Sequence, residues 1–258
     1  MENETVLKIA MEQSAIDSSC DPKDFTSSVN LVTLSKPNIY ARKYLELPFS
    51  CDLTSYGNCV VASVSEELKD TAEKYINKYS PASCFETPQI HELQRDVLRF
   101  GQSICFMAEY WLPDVTAVKT LKCPYELRFL HKDEFAGLYV PEWSNALCEK
   151  RKELDVLAVA AYDTGRMVGM AGCSMDCSTM WQIGVDVLPN YRRKGIASAM
   201  TSALALEVLS RDIVPFYCCA WSNIGSARNA FRSGFRPAWT QLTVKPVEFV
   251  NRMIADKN

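Results

Sequence analysis

Apolar residues recur along this chain at two spacings, and each spacing predicts its own element. Leu68, Ala72 and Ile76 repeat every four residues after the run 57–65, which reads as a strand entering a helix, with Ser63 and Glu66 at capping-box spacing. A second helix is predicted where Thr87 caps, Pro88 fits the first turn, Ile90, Leu93, Val97 and Phe100 share a face, and Gly101 ends it. The run 103–112 then reads as a buried strand. After Pro113 to Pro124 come a strand at 125–130 and a broken helical region from His131 to Lys152. Two apolar runs follow, joined through Asp163, Thr164 and Gly165 as a hairpin. A strand at 180–188 stops at Pro189, and Ile196, Met200, Leu204 and Val208 mark one helix face. The last elements are a strand at 213–221, a helix capped by Ser222 or Asn223 and ended by Gly234, and a final strand from Phe235.

The proline-rich stretch divides the chain into a polar arm with one short helix (1–36), an α/β domain (37–115), a second domain (124–245) and a tail (246–258). At 258 residues, with 48% hydrophobic and 23% charged residues, the composition is that of a folded globular protein. The net charge of −3 argues against binding nucleic acid through a basic face, but leaves room for a local anion site. Eleven cysteines, an odd number, follow an acidic start unlike a secretory leader, which points to a reducing cytoplasm rather than a disulfide framework. No apolar run is long enough to span a membrane, and with two histidines and the closest cysteine pairs, Cys173/Cys177 and Cys218/Cys219, lacking the two-residue gap that zinc chelation favours, a metal site is not expected; no membrane partner is expected either.

Three cations and a glycine lead straight into the helix that begins near Ile196. A helix start offers free N–H groups and the positive end of its dipole, so Arg192, Arg193 and Lys194 deepen an existing attraction for anions. The segment Arg192-Arg193-Lys194-Gly195-Ile196-Ala197 resembles the Gln/Arg-x-x-Gly-x-Gly/Ala loop of the GNAT superfamily of acyl-CoA-dependent N-acyltransferases. Val187 and Pro189 upstream, and Asn223, Ser226, Gly234 and Phe235 downstream, extend the likeness over about residues 124 to 245.

That resemblance implies an α/β (α+β) fold with a mixed, mostly antiparallel central sheet of GNAT type and flanking helices. The smaller α/β N-terminal domain carries no motif that assigns it chemistry; since sites often sit at domain interfaces, it is expected to wall one side of the acceptor cleft. The resemblance also implies acetyl-CoA as the acyl donor, with no metal. The pyrophosphate is then held by the loop, with Gly195 and Ala197 giving close approach and Arg192 and Lys194 neutralising the rim. The pantetheine arm is expected against the backbone of Val185 and Val187, with Asn223 and Ser226 nearby; helix capping is the plainer role for that pair. The acceptor is an amine of a small molecule or peptide, and a homodimer stays open.

For the chemistry, Asp186 in its apolar run is the candidate general base, against pairing with a cation or capping a loop. The tyrosine that many family members carry seven residues after the asparagine is Ala230 here, so the acid falls to water, Tyr191, Tyr217 or no dedicated group. A ping-pong thiol at Cys218 or Cys219 has no nearby histidine in sequence to activate it. Trp181 and Trp221 are either acceptor-pocket walls or core. The alternative to an acetyltransferase is a CoA-binding regulatory module without turnover. A nucleotide-binding protein is disfavoured, because neither phosphate-loop nor dinucleotide glycine pattern is present.

Overall fold

The computed structural model of the protein describes residues 1–256. In chain order its elements are α1 (Asn3–Ser18), β1 (Leu31–Leu34), β2 (Cys51–Ser55), β3 (Val61–Val64), α2 (Lys69–Lys78), α3 (Thr87–Leu98) and β4 (Gln102–Pro113). Next come β5 (Glu126–His131), β6 (Asp155–Asp163), β7 (Arg166–Ser174), β8 (Met180–Val187) and α4 (Ile196–Ser210). Last are β9 (Val214–Ala220), α5 (Ile224–Arg232), β10 (Phe235–Pro246) and α6 (Val247–Ala255). The strand pairing is mixed and mostly antiparallel, with helices alongside, as the resemblance implied.

Several local expectations need correction. The arm at 1–36 holds a 16-residue helix and a strand, and the tail carries α6. The helix in the arm is hard to read because Gln13, Ser14, Asp17 and Ser18 are among its buried residues, so polarity hides its inner face. Ser63 lies buried in β3 and caps nothing; a 3-10 turn over Glu66–Leu68 leads into α2 instead. Thr87 is the first residue of α3 rather than its cap. The region 131–152 contains three short 3-10 helices and no α-helix.

Two compact units are present, each discontinuous in sequence: Met1–Ala10 with Tyr110–Pro237, and Met11–Glu109 with residues from Ala238 onward. The chain therefore passes between units inside α1, β4 and β10, whereas Pro113 only closes β4.

In the first unit the strand order is β4–β9–β8–β7–β6–β5. Thr164 and Gly165, both at positive φ (48° and 87°), turn β6 into β7 as the two-residue hairpin read from the sequence. On one face, Leu157, Val159, Val168, Ala171 and Ile183 pack with Ile196, Met200, Leu204 and Val208 of α4. On the other, Ala158, Ala160 and Met170 pack with Phe135, Trp143, Ala146 and Leu147. Alternate residues of β6 and β7 serve opposite faces, so strands covered on both sides read as continuous apolar runs. A buried polar seam joins α4 to α5. Ser198 Oγ donates to Asn229 Oδ1 (3.1 Å), Asn229 Nδ2 donates to Thr201 Oγ1 (3.0 Å), and Ser233 Oγ donates to the Asn229 carbonyl (2.8 Å).

The second unit has the order β1–β3–β2–β10–β4, and α2 and α3 cover one face around Leu53, Leu68, Ile76, Leu93 and Leu242. Asp52 is buried and accepts hydrogen bonds from Gln241 Nε2 (3.0 Å), Thr243 Oγ1 (2.7 Å) and Thr54 Oγ1 (3.2 Å). Burial nonetheless outweighs these bonds and pushes its carboxyl up to about 6. A carboxyl raised in the folded state binds its proton there more tightly than in the unfolded chain, so stability falls as pH rises. The window runs from the unfolded value near 3.8 to about 6. Thermal melts of the wild type against Asp52→Asn should show a relative loss of up to ~3 kcal/mol across that window and a constant difference above it. A difference that does not change with pH would show that Asp52 is not held in this way.

Candidate active site

β8 and β9 run parallel and pair from Met180–Val214 to Ile183–Tyr217. Both strands continue, to Val187 and Ala220, with no further pairing between them. On its other edge β8 stays paired over that stretch, Val185 opposite Ala171 and Val187 opposite Gly169. In an antiparallel ladder, residues alternately bond the partner with both backbone groups and turn both groups the other way. The Leu188 N–H bonds the Val168 carbonyl at 3.0 Å, so even-numbered residues face β7. The Thr179 carbonyl accepts from the Val214 N–H at 3.0 Å, so odd-numbered residues face β9. Val185 and Val187 thus direct their N–H and C=O groups into the opening where the two strands part.

The opening belongs to a cleft of about 830 Å³ whose other walls are the first turn of α4 and one side of α5. Ahead of α4, a 3-10 turn at Pro189–Tyr191 is followed by Arg193 (φ 64°) and Gly195 (φ 82°), two left-handed residues in three. Turns of this kind converge successive N–H groups on an anion. The first N–H to find a carbonyl of the helix region is that of Ala199, on Gly195 (3.0 Å), so those of Ile196, Ala197 and Ser198 lie outside the helical ladder. Gly195, Ile196 and Ala197 line the cleft, as do Arg192 and Arg193. Arg192 Nε also donates to the Val187 carbonyl at 3.0 Å and ties the loop to the end of β8.

One expectation for the loop changes. Lys194 does not line the cleft: its Nζ donates to the Tyr125 hydroxyl (3.2 Å) and lies 5.0 Å from the Tyr191 ring centre. A Cβ on Gly195 would meet no protein atom within 4 Å, and the positive φ there favours glycine as well.

Asp186 lines the same cleft, half-buried, and its carboxylate is occupied. Oδ2 accepts from the N–H groups of Asn145 (2.8 Å) and Ala146 (3.0 Å), and Oδ1 accepts from Asn145 Nδ2 (2.6 Å). Beneath that loop Gly172 and Gly184 face each other across β7 and β8. A Cβ at Gly184 would stand 1.8 Å from the Asn145 carbonyl oxygen, and one at Gly172 would stand 2.1 Å from that of Ala146. The glycine pair admits the loop, and Asp186 clamps it. Both carboxylate oxygens of Asp186 are thereby engaged with the Asn145–Ala146 loop.

A sequence model of the family described as GNAT acetyltransferase matches residues 59–238. The chain belongs to this family. Members use acyl-CoA. Among solved structures, a GCN5-related N-acetyltransferase-like protein from Streptococcus suis is 21% identical, with 60% of this chain and 67% of that one covered and a TM-score of 0.44. For a GNAT-family acetyltransferase from Colwellia psychrerythraea the values are 12%, 58%, 61% and 0.43. For an aminoglycoside N-acetyltransferase solved with CoA they are 18%, 45%, 93% and 0.36. The chain spans about two thirds of the length of the first two. No curated protein matches it.

In this GNAT chain the remaining candidates separate by position. Asn223 and Ser226 line the cleft, and Asn223 is also the α5 cap, its Oδ1 accepting from the Ser226 N–H at 3.1 Å. Asn223 thus caps α5 from a position on the cleft wall. Tyr217 lines the cleft at the point where β8 and β9 part, 3% exposed. Burial raises its phenol, against the opposing hydrogen bonds of Ser226 and Asn229. Tyr191 is outside the cleft, its hydroxyl on Asp163 Oδ2 at 3.0 Å. Ala230 is fully buried in the core beneath α5 rather than exposed to the cleft. Cys218 and Cys219 do not line the cleft, nor do Trp181, which is core, and Trp221, which is exposed.

Asn145, Arg228 and Arg232 line the cleft without having been singled out from the sequence. The arginines had a signal, a four-residue spacing within a predicted helix. Asn145 had none, since it lies 41 residues from the aspartate it meets. Among the described residues no group of three or more histidine, cysteine or acidic side chains could hold a metal, and no helix is long and apolar enough to cross a membrane.

Proposed function

We propose that this GNAT chain is an N-acetyltransferase that moves an acetyl or short acyl group from CoA to an amine by direct transfer in a ternary complex. The observation that carries this reading is the parting of β8 and β9. It leaves the backbone groups of Val185 and Val187 unpaired by β9, along one cleft that runs to the free N–H groups at the start of α4. An extended amide-bearing arm ending in a pyrophosphate suits such a strand edge leading to a helix N-terminus.

In the proposed reaction the N–H groups facing the gap polarise the thioester carbonyl, and a neutral amine attacks it. The tetrahedral intermediate collapses with cleavage of the C–S bond, and the amine's proton leaves to solvent. Tyr217, protonated at neutral pH and sited where the strands part, donates a proton to the departing thiolate and regains one from solvent before the next turnover. Asp186 acts as a positioning residue that holds the Asn145–Ala146 loop over the glycine pair.

Binding is tested by calorimetry with acetyl-CoA against ATP and NAD, and turnover by labelled acetyl-CoA with a library of amines. With an acceptor in hand, Tyr217→Phe should lower turnover by ~10- to 100-fold at unchanged CoA affinity. Asp186→Asn should lower thermal stability and raise the acceptor KM. A selective fall of kcat by ~100-fold in Asp186→Asn, with stability intact, would restore Asp186 as the base. ATP or NAD bound in preference to acetyl-CoA would end the reading altogether.

A further inference from the structure

The chain from Trp143 to Cys148 arches over the glycine pair of β7 and β8, turns Trp143, Ala146 and Leu147 into the core, and is held at each end by a carboxylate. At one end Asp186 of β8 accepts from the Asn145 and Ala146 N–H groups. At the other, Asp155 of β6 accepts from the Cys148 N–H through Oδ2, at 2.9 Å. The two tethers differ in their surroundings. Asp186 is half-buried with both oxygens bonded to the arch, whereas Asp155 is fully buried and its Oδ1 accepts no hydrogen bond.

Around Asp155 stand Tyr139, Cys148 and Arg151 from the segment between β5 and β6, Cys173 of β7, and Asp176 just beyond β7. The Tyr139 hydroxyl donates to the Lys152 carbonyl at 3.3 Å. Arg151 bonds Asp176, which is itself fully buried and also accepts from Ser174 Oγ at 2.5 Å. Two buried carboxylates thus face one guanidinium, and Asp176 holds it. Burial pushes the Asp155 carboxyl up to about 6, against the opposing pull of the Cys148 N–H, Tyr139 and Arg151.

Protonated, Asp155 keeps its bond to Cys148 without burying a charge. Ionised, it leaves an unsolvated oxygen that water reaches only if the Cys148 end of the arch lifts. We propose that Asp155 is a latch on this arch: its ionisation loosens the Cys148 end, and with it the seat of Asn145 on the cleft wall, while Asp186 keeps the other end hinged. The apolar side chains under the arch keep the lifted form a minor one, so pH changes its population and not the fold. The latch operates whatever the cleft binds.

The test is amide exchange of the full chain, read residue by residue by NMR from about pH 4 to about pH 7.5, each rate divided by that of an unstructured peptide group at the same pH. A lifted arch returns Asp155 to its ordinary value near 3.8, so the opening constant at Cys148 should rise by up to ~100-fold between there and about 6, then stay level. Cys148 should also exchange faster than the amides of α4 throughout, as a local opening requires. Asp155→Asn, shaped like the protonated acid, should remove the rise and leave Cys148 better protected than in the wild type at neutral pH. A flat wild-type profile overturns the latch, and does so even if the variant fails to fold. So does an equal rise in Asp155→Asn. Exchange of Cys148 at the rate of α4 overturns it too, because the arch would then move only when the whole unit unfolds.

Discussion

Gly195→Asp is expected to abolish acetyl-CoA binding, with no measurable heat in a titration that saturates the wild type. Three effects act together. The residue sits at φ 82°, a conformation that costs a side-chain-bearing residue roughly 1 kcal/mol or more. The space beside its Cα is open to the cleft, so the new carboxylate would occupy the anion's own place. Its negative charge would also settle on the free N–H groups of Ile196 and Ala197 at the helix start and cap them internally. Gly195→Ala separates strain from charge: it should fold and bind more weakly, by about ten-fold, since only backbone strain remains. Wild-type affinity in Gly195→Asp would show that the α4 N-terminus is not where the donor's phosphates bind.

Gly184→Ala should be strongly destabilising, since among the glycines a Cβ there makes the closest approach to backbone. The Asn145 carbonyl oxygen would lie 1.8 Å from the added carbon, and backbone, unlike a flexible side chain, cannot swing aside. Either β8 or the loop must move, at an overpacking cost of about 1–3 kcal/mol or more. Moving the loop also breaks the three hydrogen bonds to Asp186, leaving a half-buried carboxylate without its donors. Thermal denaturation should show a fall of several degrees, with turnover lost more completely than CoA binding, because Val185 and Val187 still face the gap. An unchanged melting temperature would mean that the loop does not rest on the glycine pair.

Much of the fold is legible because it follows from short-range spacing. Ile196, Met200, Leu204 and Val208 share a helix face whatever they pack on, and Thr164-Gly165 makes its turn without distant help. The loop before α4 is legible for the same reason, being eight contiguous residues between a strand and a helix. The rest depends on contacts distant in sequence. Nothing near Asp186 announces that a loop some forty residues earlier supplies three donors to its carboxylate. Lys194 differs from its neighbours only in the direction of its side chain, which Tyr125 and Tyr191 decide. The family tyrosine aligns with Ala230, yet a cleft phenol is supplied by Tyr217 from another element. Pattern matching on α5 alone could not see it.

The alternation along β8 also determines which kinds of change this chain can absorb. The groups that Val185 and Val187 turn into the gap are main-chain atoms, identical for every residue but proline. Side chains there can drift with little effect on that edge. The count of residues cannot: one residue inserted between Gly184 and Val185 would exchange odd for even, turn the carbonyls and amides of Val185 and Val187 toward β7, and carry Asp186 to the opposite face of the sheet. Along this strand, heredity must guard length more strictly than letters.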